Sequence, residues 1–497
     1  MTAKVEKMPN WLKKRAQLTP NRPAIECEEK VYTFLELDRL AESTARKAAA
    51  LGLQQGDTCA VLIRNDSRSV ALIHGLFYLG VRIVMLNHRL TANELTWQVK
   101  DSQADQLIFD DVFSEKGNQV QSQLPLLKIV SIEVVQQVTE DNQARIVSEF
   151  VMDETATIMY TSGTTGNPKG VIQTFGNHWW SAIGSVLNLG LTEKDCWYCG
   201  VPIFHISGLS ILMRNMIYGM KVVLAEKFSA IEANKMIQEK GITIISVVTT
   251  MLNRMIQDLG DEGYPESFRC MLLGGGPAPK YLLEECKAKQ IPVYQTYGMT
   301  ETASQIVTLS PEDSLEKLGS AGKALFPSQL RIEIEGHEAG PNEHGEIVVS
   351  GPNVTSGYLN QKEATEKAIK DGWLYTGDIG YLDSEGFLFV MDRRSDLLIS
   401  GGENVYPAEI EAVISKHPAV FESGVTSIED EKWGQVPIAF VVTNKNQVVT
   451  EEELLRYVKE NLAAYKVPKH IYFCEELPRN AANKLLRRKL KELGCRS

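Results

Sequence analysis

Residues 160–170 read YTSGTTGNPKG. The apolar run ATIM at 156–159 leads into them and predicts a strand. The stretch is then a strand end, a turn of hydroxyls and glycines, and a lysine. Gly-rich turns aim several backbone N–H groups at one point, which suits a phosphate. Thr161, Ser162, Thr164 and Thr165 add hydroxyls, Gly163 and Gly166 leave bare backbone, and Lys169 adds a mobile cation. Spacing excludes a Walker A loop. Counting from Gly163, the second glycine would fall on Pro168, and Gly170 stands where Ser or Thr should follow the lysine. A strand opening into a phosphate loop of another kind points to an α/β protein.

Working outward, the first 150 residues alternate helix and strand signals. FLELDRLAESTARKAAALGL (34–53) spaces apolar residues at helical intervals and stops at Gly52. TCAVLIR (58–64) and VRIVMLN (81–87) are compact apolar strands around the helical SVALIHGLFYLG (69–80). The rhythm returns from GMKVVLAE (219–226) to PVYQTYG (292–298). Strands separated by helices predict parallel sheets with helices on both faces. From about Leu318 the pattern changes to short strands joined by Gly-rich turns, as in QLRIEIEG, HGEIVVSG and GFLFVMDRR, which predicts an antiparallel meander or small barrel. After Arg393 a compact α+β unit follows, so a domain boundary is expected near 392–396.

Four further stretches carry candidate chemistry. QTYGMTET (295–302) sets the Thr300 hydroxyl beside the Glu301 carboxylate. A carboxylate next to phosphate donors is repulsive unless a metal lies between, and Mg²⁺ accepts one or two carboxylates plus phosphate oxygens. In LYTGDIGYLDSEGF (374–387), Asp378 follows a glycine turn and can accept from two vicinal hydroxyls. DRRSDLLISGGENVYPAEIE (392–411) lies on the expected boundary, and LPRNAANKLLRRKL (477–490) holds Lys484 just before a basic helix that reads as a solvated face.

Composition excludes other classes. A net charge of −11 argues against nucleic-acid or anionic-membrane binding. No apolar run reaches the length of a spanning helix, and MTAKVEKMPNWLKKRAQ has no apolar core of a secretory signal. Eight cysteines, irregularly spaced, suit a reducing cytoplasm. Cys196 and Cys199 have redox spacing but sit in the apolar run WYCGVPIF and read as buried strand thiols. No zinc spacing and no Gly-x-Ser-x-Gly elbow is present. A homo-oligomer is compatible with the sequence.

YTSGTTGNPKG, YGMTET, YTGD, DRRSDLLISGGENVYPAEIE and the late Lys484 occur in the order of the adenylate-forming enzymes, and the chain resembles that superfamily over nearly its whole length. The superfamily comprises acyl-CoA synthetases, adenylation domains and luciferases. The resemblance implies a large N-terminal domain (1–392) of two βα lobes plus a small β-barrel. It also implies a small mobile α+β C-terminal domain (393–497) hinged near Ser395. It implies two steps: a carboxylate attacks Mg-ATP to give an acyl-adenylate and diphosphate, then the CoA thiol displaces AMP. ATP, Mg²⁺ and CoA are therefore expected. By resemblance, Lys484 bridges the reacting groups, Ser162–Lys169 grips the outer phosphates, Thr300 meets the α-phosphate and Glu301 the Mg²⁺. Asp378 and Arg393 resemble the ribose contacts. Gly274, Gly275, Gly276 and Pro277 resemble the adenine wall, with Tyr297 stacking on the base. Gly401 and Gly402 would face the thiol channel. Ser395 and Asn483 depart from the usual Asp or Lys and Gly at their positions.

Within the superfamily, TFGNHWWSAIGSVLNLGLT, PIFHISGLS, LLGGGPAPKYLLEECK and YGMTETASQIVTLSPE resemble the o-succinylbenzoate–CoA ligases of menaquinone biosynthesis. A dianionic keto-acid needs polar groups in its pocket, and His205, Ser207, Thr249 and Thr250, with Gly276 and Gly298, are the candidates. Ligation of another aryl or fatty acid, loading of a carrier protein, and non-catalytic nucleotide sensing stand as alternatives.

Overall fold

The computed structural model describes residues 6–161, 168–275, 278–393, 398–400, 403–405, 407–430, 433–445, 447–462, 464–480 and 484–493. The helix expected from residue 34 forms as Phe34–Ala50. Thr33 caps it reciprocally: its hydroxyl accepts from the Glu36 N–H at 3.2 Å, and the Glu36 carboxylate accepts from the Thr33 N–H at 2.8 Å. Such a box contributes about 1 kcal/mol and fixes where the helix starts. Phe34, Leu37, Ala41, Ala45 and Ala48 recur at helical spacing and are its buried face.

A first sheet of six strands runs in the order Lys169–Thr174, Thr155–Thr161, Arg82–Met85, Thr58–Leu62, Gln106–Phe109, Lys128–Ser131. Its pairs are parallel except the hairpin that joins Thr155–Thr161 to Lys169–Thr174. A second, larger sheet contains Val293–Met299, Cys270–Gly274, Ile244–Val248, Cys196–Cys199, Lys221–Leu224 and Pro23–Cys27 as parallel neighbours in that order. Pro23–Cys27 departs from the expected local rhythm. It crosses to this second lobe, where Ile25 pairs with Val222. From Val293–Met299 the same sheet continues antiparallel through Ser304–Leu309, Ser320–Ala324, Leu388–Arg393, Trp373–Leu382, Gly345–Ser350 and Gln329–Ile334.

Asn65 ties the two lobes. Its buried amide donates to the carbonyls of Val201 at 2.9 Å and Ala225 at 3.1 Å, and its Oδ1 accepts from the Ile203 N–H at 2.9 Å. That satisfies the side chain fully and fixes the segment 201–205 against the first lobe.

A separate sheet holds Glu403–Val405, Leu398–Ser400, Gly434–Thr443 and Val420–Asp430, with Ile471–Phe473 parallel to Gly434–Thr443. It packs with helices Pro407–Ile414 and Glu451–Asn461 around its own core of Ile410, Ile414, Val425, Val441, Leu454 and Val458. The basic helix Arg487–Leu493 is less solvated than its sequence suggests: Leu490 is fully buried and Arg487 pairs with Glu411.

Cys196 and Cys199 lie on one strand and pack into different cores, on opposite faces of the sheet. Burial pushes both thiols up to about 12. They are strand packing, not a redox pair. Among the described residues no helix is long and apolar enough to cross a membrane.

Candidate active site

Four parallel strands of the second sheet end side by side. Cys196–Cys199 leads to His205, Ile244–Val248 to Thr249, Cys270–Gly274 to Gly275, and Val293–Met299 to Thr300. In open α/β sheets the crevice beyond the carboxyl ends of the strands is where ligands bind. The hairpin of the first sheet that brackets residues 162–167 contributes the other wall candidates, with Thr161 and Lys169 directly paired.

Lys169 opens its strand with Nζ 4.9 Å from the centre of the Tyr358 ring. The Tyr358 hydroxyl donates to Glu301 Oε1 at 3.1 Å. A cation, an aromatic face and a carboxylate thus form one connected unit. The segment around Tyr358 is sewn to the lysine strand: Ile172 N–H donates to Gly357 O at 3.0 Å and Leu359 N–H to Gly170 O at 2.8 Å. The Thr355 N–H also donates to Glu301 O at 2.7 Å. Sequence reasoning found Lys169 and Glu301 but not Tyr358, which joins them across the fold.

Thr300–Thr302 form a single 3₁₀ turn, followed by Ala303 at φ 50° and Ser304 at φ 116°. Both lie in a left-handed region that L-residues rarely adopt, at a cost of about 1–3 kcal/mol each, so surrounding bonds must hold them. Gln173 Nε2 donates to Thr300 O at 2.8 Å, Asn353 Nδ2 to Thr302 O at 2.9 Å and Ser181 Oγ to Ala303 O at 2.6 Å. Gln173 is itself fixed by Thr157 Oγ1 at 2.9 Å, which meets His178 Nε2 at 2.9 Å. Burial lowers His178 to about 4, so it is neutral at pH 7. This buried relay pins the carbonyl of Thr300 and leaves the Thr300 hydroxyl and Glu301 carboxylate at the strand end. Gly298 is needed there: a Cβ would stand 2.1 Å from Ser304 O.

Asp378 is buried and accepts from the Tyr297 hydroxyl at 2.9 Å. It lies within the strand Trp373–Leu382, next to Gly377 at φ 73°, and its cross-strand partner is Arg393. The two residues expected at a ribose are therefore register neighbours, and the Tyr297 ring is held by Asp378. Gly274 ends its strand opposite Val248, and Gly275 turns at φ 89° against that valine.

His205 caps the helix Ile206–Tyr218, and its buried Nε2 has no hydrogen-bond partner among the described residues. Burial, then Arg89 and His88, lower it to about 4. A neutral imidazole there is a shape and hydrogen-bonding element, not a charged one. Phe204 lies against it at 4.5 Å between ring centres, and His88 of the first lobe meets Phe204 edge-on at 4.7 Å. Gly208 lets the helix begin: a Cβ would stand 2.3 Å from Pro202 O. Ser207 is exposed in the first turn, and Thr249 and Thr250 are half-buried at the start of the helix Thr249–Leu259.

Arg214, on the helix that starts after His205, is 1% exposed. No Asp or Glu pairs with it among the described residues; it lies over the Trp197 ring at 5.2 Å and donates to Ser304 Oγ at 3.3 Å. Burial lowers its pKa, but a guanidinium stays charged. Trp197 Nε1 donates to Ser246 Oγ at 3.1 Å, and Ser210 Oγ to Ser304 Oγ at 3.4 Å. Arg214 thus joins the His205 helix, the strand leading to Thr249 and the turn after Glu301. Sequence reasoning missed it, although a lone arginine in the apolar run LSILMRNMIYG is costly to bury without purpose.

Ser162, Gly163, Thr164, Thr165, Gly166, Gly276, Pro277, Ser395, Gly401, Gly402 and Asn483 lie outside the described residues. Lys484 is described and exposed. Among the described residues no cluster of three or more His, Cys, Asp or Glu is placed to hold a metal by itself. The donor set fits a Mg²⁺ that arrives on phosphates and takes one carboxylate, Glu301.

A family model described as AMP-binding enzyme matches residues 12–359, and one described as AMP-binding enzyme C-terminal domain matches 409–484. The chain belongs to the AMP-binding enzyme family. Among members of this family, it is 57% identical over 488 residues to a 2-succinylbenzoate–CoA ligase of Geobacillus sp. (strain WCH70), covering 98% of this chain and 97% of that protein. Its fold superposes on the o-succinylbenzoate CoA synthetase of Bacillus subtilis in complex with the acyl-adenylate intermediate OSB-AMP at a TM-score of 0.93. That match has 50% identity and 98% coverage of both chains. The same Bacillus subtilis protein, as a double mutant bound with its product analogue OSB-NCoA, superposes at 0.77 with the same 50% identity, covering 98% of this chain and 99% of that one.

Proposed function

We infer that this AMP-binding enzyme is an ATP-dependent acid–CoA ligase acting in menaquinone (vitamin K2) biosynthesis. It converts 2-succinylbenzoate, ATP and CoA to 2-succinylbenzoyl-CoA, AMP and diphosphate through an acyl-adenylate. Near-full-length similarity to 2-succinylbenzoate–CoA ligases supports the reaction class. Arg214 is the observation that carries the choice of acid. A fatty acid needs an apolar tunnel, and a buried cation without a carboxylate partner among the described residues would oppose one. A second carboxylate on the substrate gives that cation its counter-charge. The Ser304 hydroxyl, which accepts from Arg214 at 3.3 Å, is the group through which that cation would act on the carboxylate.

In the first step one carboxylate of the acid attacks the α-phosphorus of ATP. The bond from that phosphorus to the bridging oxygen breaks, and diphosphate leaves. Both reactants are anions, so the chain's cations decide the rate. Lys169 takes the departing phosphates, Thr300 contacts the α-phosphate and Lys484 bridges the reacting oxygens. Glu301 would hold Mg²⁺, which when bound would supply charge neutralisation on the phosphates. Asp378 and Arg393 hold the ribose, and Gly274–Pro277 with Tyr297 form the adenine site. His205 and Thr249 line the acyl pocket. In the second step the CoA sulfur attacks the acyl carbon and AMP leaves.

The drop in TM-score from 0.93 to 0.77 arises between two forms of one relative at equal identity to this chain. Sequence divergence does not explain it, and a rearrangement of rigid parts would. We propose that residues 1–392 and 393–497 are those parts, hinged near Ser395, and that the described arrangement is the adenylate-forming one. Cytoplasmic placement is in keeping with seven free cysteines among the described residues.

A diphosphate-release assay with a panel of carboxylic acids tests the assignment. Turnover is expected with 2-succinylbenzoate well above benzoate or a medium-chain fatty acid. Turnover with the fatty acid and none with 2-succinylbenzoate would overturn it.

A further inference from the structure

Lys484 is exposed and its four-carbon stem is flexible, so the backbone that carries it contributes to its placement. That backbone is fastened at both ends. Arg479 and Leu485 form an antiparallel bridge, and the Leu486 N–H donates to Pro478 O at 2.9 Å. Inside the bridge, the Asn480 N–H donates to Lys484 O at 2.9 Å, and the Lys484 N–H donates to Asn480 Oδ1 at 2.9 Å.

Each arm also carries an arginine paired to a different element. On the incoming arm Arg479 pairs with Glu422 of Val420–Asp430. On the outgoing arm Arg487 grips Glu411 of Pro407–Ile414 with two bonds, Nε to Oε1 at 2.9 Å and Nη2 to Oε2 at 2.7 Å. Glu411 is held in turn by the Val425 N–H, which donates to Oε1 at 2.7 Å. Below the bridge Leu485 and Leu490 pack over Gly424. The main core of this unit does not include these residues. Part-exposed ion pairs contribute only about 0–1 kcal/mol to folding. What they do fix is direction: two arms anchored on either side of one lysine.

We propose that Glu422 and Glu411, through Arg479 and Arg487, are positioning residues for Lys484 in adenylate formation. The proposal rests on the reading of Lys484 as the cation that bridges the reacting groups.

The test is a double-mutant cycle on single-turnover adenylate formation with the full-length protein, ATP, Mg²⁺ and 2-succinylbenzoate. Glu422→Gln is expected to slow this half-reaction about tenfold, corresponding to a misplaced but present lysine. Thioester formation from supplied acyl-adenylate and CoA is expected to stay within about twofold, because that step does not use the lysine. The exchanged pair Glu422→Arg with Arg479→Glu should restore the rate. In a Lys484→Ala background Glu422→Gln should cost nothing more. Equal loss in both half-reactions, no loss in either, or a full further loss in the Lys484→Ala background would overturn the proposal. If Lys484→Ala alone leaves adenylate formation unchanged, the underlying reading of Lys484 fails. If it slows that step while Glu422→Gln does not, only the positioning inference fails.

Discussion

Lys484→Ala is expected to lower the rate of adenylate formation by about 10²–10³-fold, the loss seen when one charge-stabilising donor is removed from a transition state. The physics is direct. The attacking carboxylate and the α-phosphate are both anions and must come into contact. Two like charges 4 Å apart repel by about 1 kcal/mol in water but about 4 kcal/mol in a site of lower effective dielectric. A lysine between them converts that repulsion into two attractions as charge builds. ATP affinity should change little, because in the proposed mechanism the phosphates are gripped elsewhere, by Lys169 and the Thr300 turn. Conversion of supplied acyl-adenylate and CoA to thioester should also survive. Single-turnover adenylate formation, ATP binding and the thioester half-reaction, measured side by side, check the three expectations. An unchanged adenylation rate would show that another group bridges the reactants.

Arg214→Met is expected to lower kcat/KM for 2-succinylbenzoate by about 10²-fold, corresponding to the 2–5 kcal/mol typical when one partner of a buried, hydrogen-bonded charge pair is lost. Methionine keeps the volume and removes the charge, so the apolar surroundings tolerate it. Free-protein stability should hold or rise, since the substitution removes a buried cation that has no ion-pair partner among the described residues. Activity toward a monocarboxylic acid such as benzoate should not fall in parallel. Arg214→Lys should recover part of the loss. Steady-state kinetics with both acids, together with thermal melting, read this out. An equal fall for both acids would mean that Arg214 shapes the site without acting on the second carboxylate through Ser304.

The local parts of this fold are legible in the chain. The Thr33–Glu36 box starts its helix where the periodicity begins, and the Thr450–Glu453 box does the same for Glu451–Asn461. YTSGTTGNPKG, the Thr300–Glu301 pair and the late Lys484 stand out in the sequence as motifs in a fixed order. What was not legible depends on pairing across long separations. Pro23–Cys27 joins the second lobe because its strand meets Lys221–Leu224 there, and nothing in its own residues says so. Gln173 looks like an ordinary strand residue until the fold sets Thr300 O 2.8 Å from its amide. Tyr358 gains meaning only where it meets Lys169 and Glu301 together. Arg214 did carry a signal: a charge buried among Leu, Met and Ile needs partners, and the described ones are the Trp197 ring and the Ser304 hydroxyl rather than an Asp or Glu.

The central claim is that this AMP-binding enzyme activates 2-succinylbenzoate as an acyl-adenylate. Incubation of the protein with ATP, Mg²⁺ and 2-succinylbenzoate in the absence of CoA, followed by mass spectrometry of the bound product, tests it most directly. The expected result is an enzyme-bound 2-succinylbenzoyl-adenylate that is consumed on addition of CoA, yielding the thioester and AMP. No adenylate with this acid, while another carboxylic acid forms one under the same conditions, would contradict it.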